Sequence, residues 1–267
     1  MRFLAVTSGK GGVGKSTISA NLSYAISQMG YRVAVMDADI GLANLDIIFN
    51  VQPKKTVLNV LKGEASLNDI AVAINENLVL IPGDSGEEIL QFSDRELIGK
   101  FLEEADSFRD FDFLIIDTGA GIGEEVRSFV AASTETIVVT VPDPSAIMDA
   151  YAMIKYCSRI DKRVYLLMNE VKNEKEARAI YSKISSVAKK HLNGFETSMI
   201  GYVEASEIVK EASRNRELFI KKEPFSRPAV ELNEIAKKIV SYRTKEGEKI
   251  PKRASLGVFF KRLLFRF

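Results

Sequence analysis

The chain has 267 residues, 46% hydrophobic and 27% charged, with 37 Lys and Arg against 36 Asp and Glu for a formal charge of +1. That composition excludes a disordered or fibrous protein and leaves one large α/β domain or two small ones. The single cysteine, Cys157, cannot form an internal disulfide, no cationic-then-apolar leader opens the sequence, and no apolar run approaches the ~20 residues that span a bilayer, so the expected setting is cytoplasmic.

In chain order, the first apolar run, Phe3–Thr7, reads as a buried strand. It leads into Gly9-Lys10-Gly11-Gly12-Val13-Gly14-Lys15-Ser16, which matches G-x-x-x-x-G-K-[ST]. Glycines let a backbone wrap phosphate oxygens with N–H groups, and a helix predicted over Ser16 to Met29 adds its positive dipole end. In that loop Lys15 neutralises the β- and γ-phosphates, Ser16 binds Mg²⁺ and Thr17 continues the nucleotide-binding stretch. A glycine turn without a ligand needs neither Lys15 nor Ser16. Lys10 is a second lysine that the general pattern does not require, and a solvated surface side chain is its bland alternative.

The next strand, Val33–Asp37, runs into Asp37-Ala38-Asp39 and, further on, Asp46. In an open parallel sheet the C-terminal strand ends border the ligand crevice, so Asp37 and Asp39 should lie near the phosphates. Asp46 suits a structural or switch-contact role. A strand over Leu78–Pro82 and a helix over Asp94–Phe108 follow. Then Phe113-Leu114-Ile115-Ile116-Asp117 is an apolar strand ending in an acid, a Walker B arrangement with Asp117 on Mg²⁺, followed by a glycine-rich loop able to respond to the γ-phosphate. Strands over Thr136–Val141, Val164–Asn169 and Ser198–Val203 alternate with helices over Pro144–Ser158, Glu174–His191 and Arg227–Tyr242. That alternation predicts a single P-loop α/β domain over residues 1–243, with a mostly parallel sheet of seven or eight strands covered by helices on both faces.

Residues 244–253, TKEGEKIPKR, read as a linker. Charge is uneven across it: residues 241–267 hold eight basic and two acidic residues, a local +6, which leaves −5 for residues 1–240. On a helical projection of 254–267, Leu256, Phe259, Phe260, Leu263, Leu264 and Phe267 share an apolar arc of roughly 140°, with Lys261, Arg262 and Arg266 opposite or on its edge. Such a helix suits an anionic membrane surface. The alternative is a last helix packed on the sheet or on a partner subunit.

K-G-G-V-G-K-[ST] resembles the deviant Walker A loop of the MinD/ParA class of ATPases, in which the extra lysine reaches the partner subunit's nucleotide in a face-to-face dimer. Asp37 to Asp46, DADIGLANLD, resembles the MinD-type switch I, which implies that Asp39 directs the attacking water and Asp37 supports the magnesium shell, with Asp39 close enough to share it. Asp117-Thr118-Gly119-Ala120-Gly121-Ile122 resembles switch II of the FlhG (FleN, YlxH) flagellar-number regulators within that class, and Pro142–Lys155 and Asn169–Ala177 look alike too. The resemblance implies ATP and Mg²⁺ as cofactors, an ATP-dependent homodimer, adenine contacts from Asn169, and a base pocket closed by the backbone around Val203 and Glu204, although the family usually has proline at the position of Val203. MinD ends in a similar short helix, which implies peripheral attachment to the inner face of the cell membrane. FlhG proteins usually carry an N-terminal D-Q-A-x-x-L-R extension that stimulates the GTPase FlhF. Here the chain opens with the first strand, so that activity is not transferred, and the protein partner expected is an unidentified activator or effector, an FlhF-like GTPase or a flagellar or division factor.

The rival reading is a ParA-like DNA-partitioning ATPase, which shares every nucleotide residue. Non-specific DNA binding needs clustered cations, whereas the body sums to −5, so DNA is not the expected partner. A nitrogenase-iron-protein-like reading would need two cluster cysteines per subunit. Cys157 is expected to be buried and inert, and His191, the only histidine, to lie on a solvated helix face.

Overall fold

The structure, a computed structural model, describes residues 1–39, 44–83, 86–108, 110–241 and 254–265. Its strands are β1 (Arg2–Ser8), β2 (Val33–Ala38), β3 (Val72–Asn75), β4 (Leu78–Ile81), β5 (Phe113–Ala120), β6 (Glu135–Thr140), β7 (Arg163–Val171) and β8 (Ser198–Glu204). The helices are α1 (Lys15–Gln28), α2 (Leu45–Phe49), α3 (Val57–Leu61), α4 (Leu67–Ile70), α5 (Gly86–Gln91), α6 (Arg95–Ser107), α7 (Glu124–Ala132), α8 (Pro144–Arg159), α9 (Glu174–His191), α10 (Glu207–Arg214), α11 (Phe219–Lys222), α12 (Arg227–Ser241) and α13 (Leu256–Phe265).

All eight strands form one sheet in the order β3-β4-β2-β5-β1-β6-β7-β8, parallel throughout except for β3, which pairs antiparallel with β4. The seven expected strands are present. The eighth, β3, escapes sequence reading because its apolar residues, Val72-Ala73-Ile74, continue directly from the end of α4 in one short run that does not separate strand from helix. Central strands are buried on both faces, as their β-branched runs require. In β1 the alternation assigns the sides: Leu4 and Val6 pack with α1 and α12, Phe3 faces the layer that contains α6 and α13, and Ala5 faces α8 and α9. Cys157 lies inside this third cluster, and burial pushes its thiol up to about 12, so it behaves as an inert core residue.

The C-terminal helix requires a correction. Its apolar stripe was expected to face a membrane, yet Leu256, Phe259, Phe260 and Leu263 are each 1% exposed or less and face the protein. Phe259 meets Phe3 and Phe129 with ring centroids 5.5 and 6.5 Å apart, and Phe260 meets Phe101 at 4.7 Å. An amphipathic stripe specifies an apolar neighbour, and here the groove between α6 and α7 supplies it. Gly257 lets the helix in, because a Cβ there would lie 2.6 Å from Asp106 Oδ1 and 2.9 Å from the Leu102 carbonyl oxygen. Ser255 caps the helix, accepting from Val258 N, and donates to Asp106. On the outer side Lys261 is exposed, and Arg262 and Leu264 are half-buried. Arg266, Phe267 and the proposed linker 244–253 lie outside the described residues, and the helix expected to reach Tyr242 is described to Ser241.

Candidate nucleotide site

Gly9 to Gly14 turn the chain from the end of β1 into α1. Gly12 and Gly14 have φ of +77° and +82°, and a side chain on Gly14 would also strike the Asn169 amide nitrogen at 2.3 Å. Gly9 is required for a different reason, since a Cβ there would overlap the Asp149 backbone at 2.3 Å. With no residue between Gly14 and α1, the first helical N–H groups open onto the loop. Gly11, Gly12, Gly14, Lys15, Ser16 and Thr17 border a cleft of about 620 Å³, whose far wall includes Asp39, Asn169 and Val203. Val13 is buried and holds the loop to the core.

The cleft's electrostatics centre on Lys15, which is 6% exposed. Its Nζ lies 3.0 Å from Asp117 Oδ1 and 3.8 Å from Asp39 Oδ2. Asp117 is fully buried, and its Oδ1 also accepts from Ser19 Oγ at 2.8 Å. Its Oδ2 is buried without a hydrogen-bond partner among the described residues. A carboxylate oxygen kept dry and unsatisfied in the C-terminal half of β5, which runs past the expected strand end at Asp117 to Ala120, fits a hydrated divalent cation, because an acceptor of this kind otherwise carries its full desolvation cost.

Asp37 sits beside Asp117 in register, at the end of β2. Its Oδ1 accepts from Asp39 N at 3.1 Å, and its Oδ2 accepts from Asn44 N and Leu45 N, both at 2.9 Å. The carboxylate thus fastens both ends of the segment after β2. Burial, and next the charge of Asp117, push its pKa up to about 6 against the pull of those three N–H donors. Residues 40–43 of that segment lie outside the described residues.

Lys10 does not point at its own loop. Its ammonium lies 2.7 Å from Ser145 Oγ and 3.1 Å from Asp143 Oδ1, at the corner between β6 and α8. Asp143 also caps α8 by accepting from Ala146 N at 3.0 Å. Ser145, the Ala146 N–H and Lys10, in that order, hold its carboxyl well below the usual range. Asn169, at the end of β7, donates from Nδ2 to the Val13 carbonyl oxygen at 2.9 Å and so braces the phosphate loop, leaving its Oδ1 as the atom available to a base. The next residue, Glu170, adopts φ 54°, a left-handed bend where β7 and β8 fall out of register. Glu204 N donates to Glu231 Oε2 at 2.8 Å, so the backbone expected to close the base pocket is partly engaged within the protein.

The structure therefore brings Gly9 to Thr17, Asp37, Asp39, Asp117, Asn169, Val203 and Glu204 to one end of the sheet. The described members of the membrane set lie elsewhere, on α13 against α6 and α7. Sequence reasoning missed Ser19, Asp143 and Ser145. Ser19 follows Lys15 by one helical turn, and Asp143-Pro144 is an N-cap followed by a first-turn proline, so both signals were present.

A glycine loop on a helix N-terminus, an ammonium between two carboxylates and a second loop lysine together define a P-loop NTPase of the ParA/MinD type. Residues 1–240 match the family described as ParA, NUBPL iron-transfer P-loop NTPase, and the chain belongs to that family. It is 46% identical to the flagellum site-determining protein YlxH of Helicobacter pylori over 98% of this chain and 90% of that one. The antiactivator FleN of Pseudomonas aeruginosa is 32% identical over 91% and 87%. Among solved structures, the MinD cell division protein of Aquifex aeolicus superposes with a TM-score of 0.72 at 26% identity, covering 95% of this chain and 100% of that one.

Proposed function

We propose that the chain is an Mg²⁺-dependent ATPase that acts as a dimerising switch, binds the membrane in its ATP state and regulates the number or placement of a cellular structure, flagella or the division site. The observation that carries the reading is the buried ammonium of Lys15, which lies between Asp117 and Asp39 at the mouth of the glycine loop. A cation that neutralises phosphate charge thus stands among acids suited to holding a metal and orienting water. Ser16 and Asp117 would hold Mg²⁺, with Asp37 and Asp39 supporting its shell; the ion supplies charge neutralisation at the transferred phosphoryl group. Asp39 accepts from and aims the attacking water. Lys10 exchanges Asp143 and Ser145 for the nucleotide of a partner subunit, and the exposed Met148 and Ile122 favour a partner surface on that side. The names of the similar proteins support flagellar or division-site regulation, and the YlxH likeness, at 46% identity over nearly the whole chain, favours flagella. No helix among the described residues is long and apolar enough to cross a membrane, so attachment falls to α13. To insert, α13 must leave its groove, which gives the ATP dimer a defined element to release.

Asp39→Ala tests the chemistry: ATP binding persists, turnover stops and the protein accumulates as a dimer by light scattering. Turnover at the parental rate would sink the mechanism. Sedimentation with anionic liposomes and with plasmid DNA, each with and without ATP, tests the surface. Removing residues 254–267 should abolish liposome binding alone; ATP-dependent DNA binding that survives the deletion would favour the partitioning alternative.

A further inference from the structure

Several clefts outside the nucleotide site contain cations; those lined by Arg216, Lys221 and Lys222 and by Arg178, Arg227 and Lys238 also hold carboxylates, paired with Lys222, Arg178 and Arg227, which leaves two to weigh. The larger, about 1050 Å³, opens between the C-terminal ends of α8 and α9 and includes Lys155, Arg159, Arg163 and His191, with Lys162 on the border it shares with the second, so that Arg127 and Arg262 are the cations that belong to the second alone. Arg159 and His191 sit in last turns, where helix dipoles end negative, and that role accounts for them without a ligand. In the second cleft Lys162, on the C-cap carbonyl of α7, and Arg262, in the last turn of α13, also stand at helix ends, but there they converge with Arg127, which lies in the first half of α7, on one space. It is a groove of about 560 Å³ at the joint between the body and the docked C-terminal helix, lined by Arg127 and Ser128 of α7, Tyr156 of α8, Lys162, Arg262 of α13 and the carboxylate of Glu124.

Docking brings cation against cation here. Lys162, which precedes β7, and Arg262, a hundred residues later, face the same groove, and neither pairs with a carboxylate among the described residues. Lys162 is half-buried and donates to the Ser133 carbonyl oxygen. Burial and, next, the Arg262 guanidinium lower its pKa. The Arg262 guanidinium stands 5.9 Å over the Phe3 ring. Arg127 is similarly restrained, its guanidinium 5.9 Å over the Tyr156 ring while Tyr156 Oη donates to its carbonyl oxygen at 3.0 Å. The N–H donors of two guanidiniums and an ammonium, preorganised by ring and backbone contacts around a solvent-open space, match an oxyanion with several acceptor oxygens.

We propose that this groove is a binding site for a phosphate-bearing anion, which bridges Lys162 of the body to Arg262 of α13 and holds the helix docked. The anion replaces a like-charge contact with two charge-assisted ones, so its occupancy and undocking of α13 oppose each other. The site does not depend on the membrane reading, because it can be measured without lipid.

The test uses the full chain with its phosphate loop saturated with Mg-ADP, so that the glycine loop is unavailable. Calorimetric titration with pyrophosphate should show binding that weakens about tenfold in Lys162→Ala and again in Arg262→Ala. Lys155→Ala, in the neighbouring cleft, should bind like the parent. Pyrophosphate should also slow tryptic release of the C-terminal segment in the parent and not in the two variants. Unchanged Mg-ADP affinity in each variant shows that the fold is intact. Phosphatidylglycerol vesicles form the second arm: if they, and not pyrophosphate, bind the parent about tenfold more tightly than Lys162→Ala, the site takes a lipid headgroup rather than a free anion. Undiminished pyrophosphate binding in both variants, or no binding of either probe, overturns the proposal.

Discussion

The phosphate loop and the C-terminal helix are both short segments with strong sequence signatures, but the two signatures determine different amounts. At the loop each residue type is tied to a chemical requirement: glycines at positive φ, a lysine between acids, a buried aspartate with an unsatisfied oxygen. Only one kind of ligand satisfies all of them. At α13 the pattern requires only an apolar phase on one side and solvent on the other, which a bilayer and a protein groove supply equally. A chemical motif therefore names its partner, whereas an amphipathic stripe names only the kind of surface.

Substitutions should expose that contrast, and the largest effect is expected at the loop. Lys15→Ala removes the counter-ion of a fully buried Asp117, so it should abolish ATP binding by calorimetry and also destabilise the chain by about 3–5 kcal/mol. A lysine needed only for the ligand would instead leave the melting temperature unchanged.

At the helix, two buried rings in contact separate an integral element from a detachable one. Phe129→Ala empties the body's own core and should cost about 3–5 kcal/mol. Phe259→Ala removes a ring equally buried, but its cost cannot exceed the free energy of docking if α13 comes away as a unit. Denaturant unfolding should therefore show a smaller loss for Phe259→Ala, equal to that of deleting residues 254–267. Equal losses for the two rings would make α13 part of the permanent core and would count against a membrane role.

Gly257→Ala sharpens the same comparison without altering the apolar stripe. The added methyl meets Asp106 Oδ1 and the Leu102 carbonyl oxygen inside van der Waals contact, so the helix must shift outward at a cost of about 1–3 kcal/mol. Sedimentation with anionic liposomes in the absence of nucleotide should rise above the parent. If Gly257→Ala binds liposomes no better, docking does not compete with the membrane.

How much could be read from the sequence follows the same division. The alternation of strands and helices was legible because buried parallel strands are continuous apolar runs, and Asp37 and Asp117 could both be placed near the phosphates because both end such runs. The antiparallel β3 was not legible, since its short apolar run, Val72-Ala73-Ile74, is continuous with the end of α4 and too brief to tell strand from helix. The helices α2, α3, α4 and α11 are one turn long and held by tertiary contacts, so their sequences carry little periodicity. Asn169 could be singled out, but not its hydrogen bond to Val13, because that contact joins residues 156 apart across the top of the sheet. The destination of Lys10 was hidden for the same reason: its partners, Asp143 and Ser145, come close only once β6 lies beside β1.

That last contact sets the smallest expected effect. Asp143 both caps α8 and holds Lys10, and it is exposed, so Asp143→Ala should cost the fold only the cap, about 0.5–2 kcal/mol in denaturant unfolding. Its consequence for the switch should be clearer than its consequence for stability. With Asp143 gone, Lys10 has fewer interactions to give up before reaching another subunit, so the ATP concentration at which dimer appears in light scattering should fall. Ser145→Ala should shift it in the same direction and leave the Asp143 cap in place, because Ser145 contributes the shorter of the two contacts to Lys10. If both variants dimerise as the parent does, the contact at the β6–α8 corner is only a surface ion pair, and Lys10 is not restrained by it.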